Sequence, residues 1–128
     1  MFEKLMALLE NSYSPYSHFR VSSIVVMKDG KEFSGVNIEN ASYGATICAE
    51  RVAIFSAIAS GYKPYDFEKI YVLCDSQQIQ PSCFVCRQVI SEMFEKDKEV
   101  VWFSNTGESV TYRICDLCPY PFGSQCLE

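Results

Sequence analysis

Two short cysteine clusters constrain this 128-residue chain more than any other feature. Cys48-Ala49-Glu50 falls just inside the start of one helical pattern, and Cys83-Phe84-Val85-Cys86 stands at the start of another. Each lies where a strand leads into a helix, so a fold that uses both clusters together must bring two helix tips to one place. The rest of the pattern says which fold can do so. Phe2, Leu5, Met6, Leu8 and Leu9 recur at helical spacing, and the Ser-Pro-containing stretch Asn11 to Ser17 ends that helix in a loop. Phe19 to Met27 is rich in β-branched residues and predicts a strand. Lys28-Asp29-Gly30-Lys31 predicts a tight turn with positive φ, and Glu32 to Ile38 the returning strand. Thr46 is the expected N-cap of a helix from about Ile47 to Ser60, stopped by Gly61 and apolar on most faces, which predicts a buried element. Phe67 to Cys74 reads as a buried strand, Ser82 or Cys83 to about Phe94 as a helix, and Val100 to Ser104 and Val110 to Ile114 as two further strands. A helix, a hairpin, then strands alternating with helices predict an α/β domain over residues 1–128, its mixed sheet covered by helices on its faces.

Composition narrows the function. Sixteen acidic against eleven basic residues give a net charge of −5, with no Lys/Arg cluster, so nucleic acid is disfavoured and a small neutral ligand is left open. No apolar run approaches the ~18 residues a bilayer requires, which argues against a membrane partner and predicts a soluble, globular chain. The N-terminal stretch carries acids within its apolar pattern and has no small-residue cleavage site, so it is not read as a secretory signal. A core of this size does not need disulfides, and the seven cysteines are best suited to a reducing cytoplasm, as metal ligands or core residues.

The first turn of a helix carries unpaired N–H groups and partial positive charge, which favours thiolate over thiol. Cys48, Cys83 and Cys86 can supply three thiolates at about 2.3 Å to a zinc ion, leaving the fourth tetrahedral position for water, as in catalytic rather than structural sites. Glu50 is near enough to reach that water without binding the metal. Zinc with three thiolates has a net charge of about −1, which weakens its power to acidify water. Arg51 and the two helix tips are the groups available to offset it, and Arg51 is expected to donate hydrogen bonds to one or two of the thiolates. His18, the sole histidine, lies in a Ser/Tyr-rich loop and is not counted among the ligands.

Cys48-Ala49-Glu50 together with Cys83-x-x-Cys86 matches the signature of zinc-dependent nucleobase deaminases, in which a cysteine can replace the histidine of His-x-Glu. With Tyr13-Ser14-Pro15-Tyr16-Ser17, the block from Gly35 to Gly44, Thr46 to Arg51 and Cys86 to Ile90, nearly the whole chain resembles the cytidine deaminases of the small, homotetrameric class. The resemblance implies a three-layer α/β/α fold with a mixed five-stranded sheet and four sites at subunit interfaces. It implies a Zn2+ cofactor and hydrolytic deamination of cytidine and 2′-deoxycytidine, with Glu50 carrying protons. It further implies that Phe19 packs near the base, Asn37 and Glu39 bind the 3′-hydroxyl of the sugar, and Ala49 contacts the substrate. Tyr43 would come from a neighbouring subunit, and Phe122 would stack on the base across a subunit boundary. The chemistry of these side chains suits a nucleoside: amide, carboxylate and aromatic faces, without a Gly-rich phosphate loop.

The chain departs from the family in the zinc loop. Proline is usual directly before the first Cys of the pair and glycine directly after it, where this chain has Ser82 and Phe84. Proline fixes φ and removes an N–H, whereas glycine permits conformations that Phe does not readily adopt, so the loop carbonyl that meets the substrate amine is the feature at stake. Ser22 and Ser23 replace the usual small Gly-Ala pair, and Cys118 stands where an apolar residue is usual. Two alternatives follow. One is a deaminase of a modified cytosine nucleoside such as blasticidin S. The other is a non-enzymatic module whose zinc is closed by Cys83, Cys86, Cys115 and Cys118.

Overall fold

The computed structural model describes residues 1–128. Five strands form one sheet in the order β2-β1-β3-β4-β5, with β1 at Val21–Met27, β2 at Glu32–Val36, β3 at Phe67–Cys74, β4 at Glu99–Phe103 and β5 at Ser109–Arg113. Only β3 and β4 run parallel, in the register Ile70 opposite Val100. The other pairs are antiparallel, so the sheet is mixed as expected. A parallel pair needs a crossover, and α3 at Phe84–Met93 supplies it.

Alternation along the strands divides the core between the two faces. On one face Val25, Met27, Ile70, Val72, Val100 and Trp102 meet α2, at Ala49–Ala59, together with α3 and a short α4 at Ile114–Leu117. On the other, Ile24 and Leu73 meet Leu5 and Leu9 of α1, at Phe2–Leu8, and the 3-10 turn that extends it. These are the three layers α/β/α. Ser22 and Ser23, both fully buried, are satisfied rather than merely small: their hydroxyls donate to Leu5 O at 2.7 Å and Tyr71 O at 2.8 Å. The first bond ties α1 to the sheet.

Gly35 decides how closely α2 can approach β2. A Cβ there would lie 2.5 Å from Ala53 N and 2.9 Å from the Val52 Cβ. In the hairpin, Gly30 alone takes the positive φ, at 91°, and its N–H donates to Met27 O at 2.9 Å.

Several boundaries differ from those expected, for tertiary reasons. The first strand begins at Val21 rather than Phe19, and the second ends at Val36 because Ile38 leaves it to bridge Tyr13 and Ile47. The two backbone bonds between Ile38 and Ile47, both 3.0 Å, hold residue 47 extended and outside the helix. The N-cap of α2 is therefore Cys48, not Thr46, whose hydroxyl accepts instead from Asn40 N at 3.2 Å. The helix is also less enclosed than its apolar sequence predicts: Ala49, Ala53, Ile54 and Ala57 are buried, but Phe55 and Ile58 are 44% and 36% exposed. The last strand stops at Arg113, and Ile114 starts α4, which the sequence pattern did not indicate.

Candidate active site

The N-termini of α2 and α3 converge beside the carboxyl end of β3. Cys48 caps α2, Cys83 caps α3, and Cys86 sits in the first turn of α3. The Cys83 sulfur accepts the N–H of Cys86 at 3.5 Å, satisfying one of the amides that a helix start leaves unpaired. Cys48 Sγ and Cys83 Sγ are 3.8 Å apart, and the three sulfurs all lie within 4.8 Å of one another. Tetrahedral zinc with bonds of about 2.3 Å spaces its sulfur ligands by about 3.8 Å, so the cluster fits the ion. No disulfide engages any of the seven cysteines, and Cys48, Cys83 and Cys86 form the one such grouping in the chain. Cys115 and Cys118 lie outside it, which removes the closed four-sulfur module: Cys118 Sγ instead meets Arg87 O at 3.5 Å.

Electrostatics prepare these sulfurs. Hydrogen bonding from the Cys86 thiol, reinforced by the Arg51 guanidinium, draws the Cys48 thiol well below its usual range. Arg51 Nη2 donates to Cys48 Sγ at 3.4 Å, and Arg51 Nε is buried without a partner. Cys86 moves the other way, because its proton is shared with Cys48 and it is fully buried. Glu50, in the first turn of α2, is only 4% exposed, and burial pushes its carboxyl up.

A cleft of about 320 Å³ opens over these groups. Cys48, Ala49, Glu50 and Cys83 line its floor, with Phe19, Asn37 and Glu39 above them. Cys86 lies behind. Asn37 and Glu39 are already committed. Asn37 Oδ1 accepts from Ser12 Oγ at 2.5 Å and Val21 N at 2.9 Å, while its Nδ2 donates to Phe19 O at 2.7 Å, which leaves one amide hydrogen free. Glu39 Oε1 accepts from Tyr16 N at 2.9 Å and Ser17 N at 3.1 Å, and Oε2 from the Ser17 hydroxyl. The Ser17 hydroxyl and the loop amides hold the Glu39 carboxyl below its usual range. These bonds fix the loop that carries Phe19, in which His18 takes a positive φ of 58°.

Tyr43 and Phe122 are not brought to this cleft. Tyr43 is 77% exposed with its ring edge-on to Tyr16, and Phe122, 55% exposed, lies in a separate hollow with Phe84, Arg87 and Gln88. Gln88 Nε2 holds Phe122 O at 2.8 Å.

The altered zinc loop causes no backbone strain. Phe84 is the first residue of α3 and has no positive φ; its ring is exposed and lies 4.4 Å from the Arg87 guanidinium. Arg87 Nε also donates to Ser82 O at 2.8 Å, pinning the loop. Sequence reasoning passed over Cys74 and Pro81, which line the cleft, and the bond from Trp102 Nε1 to Ser82 Oγ at 3.0 Å. A buried indole usually finds a partner for its N–H, and that was the available signal. Burial, followed by the charges on Glu50 and Cys48, pushes the Cys74 thiol up to about 12, so it stays neutral.

Three cysteine sulfurs at paired helix tips, open on one side to a cleft and flanked by a buried glutamate, define a metal-dependent hydrolytic site. The family model for the cytidine and deoxycytidylate deaminase zinc-binding region matches residues 1–104, and the chain belongs to that family. It is 40% identical to a cytidine deaminase of Halalkalibacterium halodurans, over 91% of this chain and 86% of that protein. With a cytidine deaminase of Sporosarcina psychrophila it shares 34% identity over 98% of this chain and 93% of the relative. The crystal structure of a cytidine deaminase from Burkholderia pseudomallei superposes with a TM-score of 0.90 at 42% identity, covering 94% of this chain and 95% of that one.

Proposed function

We propose that this protein is a single-domain zinc enzyme that hydrolyses the 4-amino group of cytidine, giving uridine and ammonia, and accepts 2′-deoxycytidine as well. The observation that carries this reading is the cluster of Cys48, Cys83 and Cys86 beside the buried Glu50 on the floor of one open cleft. Zinc held by the three cysteines supplies Lewis acidity, which makes water a nucleophile near neutral pH. Glu50 takes a proton from the attacking water and delivers it to N3 of the ring, which makes C4 electrophilic. The water oxygen adds to C4, and Glu50 then takes the remaining proton from that added hydroxyl and gives it to the amine, so that the C4–N bond breaks, ammonia leaves and the C4 carbonyl of uridine is left. A carboxyl raised by burial is suited to both transfers, since a general base and acid works best with a pKa drawn toward the working pH. Arg51 withdraws charge from Cys48 through its hydrogen bond and so offsets the anionic ligand set.

Phe19 walls the base side of the cleft, and Ala49 lies on its floor. Asn37, through its one free amide hydrogen, and Glu39 meet the 3′-hydroxyl, so a missing 2′-hydroxyl costs little. Tyr43 and Phe122 complete the site from neighbouring subunits of a homotetramer. Their exposure outside their own chain's cleft supports that assembly, as does the exposure of Phe55 and Ile58 on α2. No helix is long and apolar enough to cross a membrane. Free thiols at the metal site suit a reducing cytoplasm, where we place the enzyme.

The test is ultraviolet absorbance on mixing the zinc-loaded protein with cytidine, alongside Glu50→Gln. The wild type is expected to convert the cytidine band to that of uridine, and the variant to lose at least about a hundredfold in rate while keeping its zinc. A wild type inert toward cytidine refutes the substrate, and an active Glu50→Gln refutes the proton carrier.

A further inference from the structure

The loop before α3 holds a contact that the reaction scheme does not use. Ser82 is 4% exposed, and its hydroxyl oxygen accepts the indole N–H of Trp102 at 3.0 Å. Trp102 belongs to β4 and is itself buried, at 6% exposure. A serine hydroxyl has a single hydrogen, and in a buried site that hydrogen needs an acceptor. The Glu50 carboxyl, on the neighbouring helix, lies close by: Pro81 and Cys83, the two chain neighbours of Ser82, line the same cleft as Glu50. Trp102, Ser82 and Glu50 therefore follow one another from the sheet, through the zinc loop, to the cleft floor, with the first hydrogen bond of the series in place. We infer that Ser82 is a positioning residue: its hydroxyl, fixed by Trp102, holds one oxygen of the Glu50 carboxyl and leaves the other facing the cleft. The inference rests on Glu50 acting as the proton carrier.

Packing alone encloses the Glu50 side chain but does not choose which carboxyl oxygen faces the cleft, and a hydrogen bond to one of them does. The proline usual in the family at position 82 has no side-chain donor, so this device belongs to the serine. The indole makes it directional. With Trp102 on one lone pair of the hydroxyl oxygen, the O–H bond is steered toward Glu50 rather than left free to rotate.

The test compares Ser82→Ala, Ser82→Thr and Trp102→Phe as zinc-loaded proteins whose metal content is measured. Ser82→Ala is expected to lower kcat for cytidine about tenfold with KM within about twofold and zinc unchanged, and Ser82→Thr to restore most of kcat. Unchanged kcat in Ser82→Ala, or a loss explained by lost zinc, overturns the inference. Should Ser82→Ala fail to fold, Trp102→Phe decides: kcat about threefold lower at constant KM supports the device, and wild-type kcat overturns it.

A second readout needs no turnover. Trp102 is the only tryptophan, so intrinsic emission reports on it alone. Glu50→Gln is expected to shift that emission in the Ser82 protein and not in Ser82→Ala. A shift absent from the first, or equal in both, overturns the hydrogen-bond chain. A wild type without activity on cytidine but with the expected emission pair separates failure of the proposed function from failure of this inference.

Discussion

Asn37 shows how one side chain joins stability to recognition. Its amide closes three hydrogen bonds that bind the Ser12, Phe19 and Val21 segments into one wall, and it is 9% exposed. Asn37→Ala leaves the Val21 N–H without its Oδ1 partner, so a loss of about 1–3 kcal/mol is expected, read as a lower midpoint in urea at unchanged slope. KM for cytidine should rise more than kcat falls, because the wall is disturbed and the cleft floor is not. Steady-state kinetics on the folded fraction separate the two effects. Asp75 offers a pH-dependent counterpart. The Asn105 amide, followed by the Arg20 guanidinium, holds its carboxyl below the usual 3.8, with Arg20 Nη2 at 2.8 Å from Oδ2. A carboxylate depressed in the folded state contributes stability that is fully present above the unfolded pKa and is lost as pH falls through the folded one. The Tm advantage of wild type over Asp75→Asn should hold at neutral pH and vanish progressively below about pH 4. An advantage that persists undiminished into strong acid contradicts the assignment.

At the level of elements, the approach of α2 to β2 depends on the missing side chain of Gly35. Gly35→Ala must push the helix outward against backbone atoms, at an expected cost of about 1–3 kcal/mol. Because Cys48 and Glu50 ride on that helix, zinc affinity should fall as well, measured by competition with a chromophoric chelator. The same elements show what the sequence disclosed. Phe67 to Cys74 was legible to the residue, since the short apolar run Ile70 to Cys74 between Asp66 and Asp75 is too brief for a helix. The cysteine clusters and Glu50 were legible because their spacing near helix starts is a local property. The N-cap at Cys48 was not, because the Ile38 to Ile47 bridge that displaces Thr46 joins segments whose pairing is set by the folded loop. Ser82 was read as a departure from the family and not as a partner of Trp102, which is 20 residues away and reaches it only once β4 lies beside β3.

For the molecule as a whole, Cys48 and Cys83 are 35 residues apart, so one ion joins the two halves of the helical layer. Removing zinc with a chelator should lower Tm, the holoprotein gaining about 2.7 kcal/mol at a free metal concentration one hundred times Kd. Calorimetry before and after chelation gives the difference, and equal values would contradict a metal bound by the folded state. The paired variant Cys115→Ser with Cys118→Ser should retain full zinc by elemental analysis, since neither sulfur belongs to the cluster.

The three sulfurs are not equally sheltered: Cys83 is exposed, whereas Cys86 is fully buried beneath the cleft. Coordination masks this difference, and metal loss uncovers it. An alkylating or oxidising reagent then reaches Cys83 before Cys86, and a single adduct there blocks remetallation. Oxidative inactivation is therefore expected to track metal release, with Cys83 the first of the pair at the start of α3 to be modified.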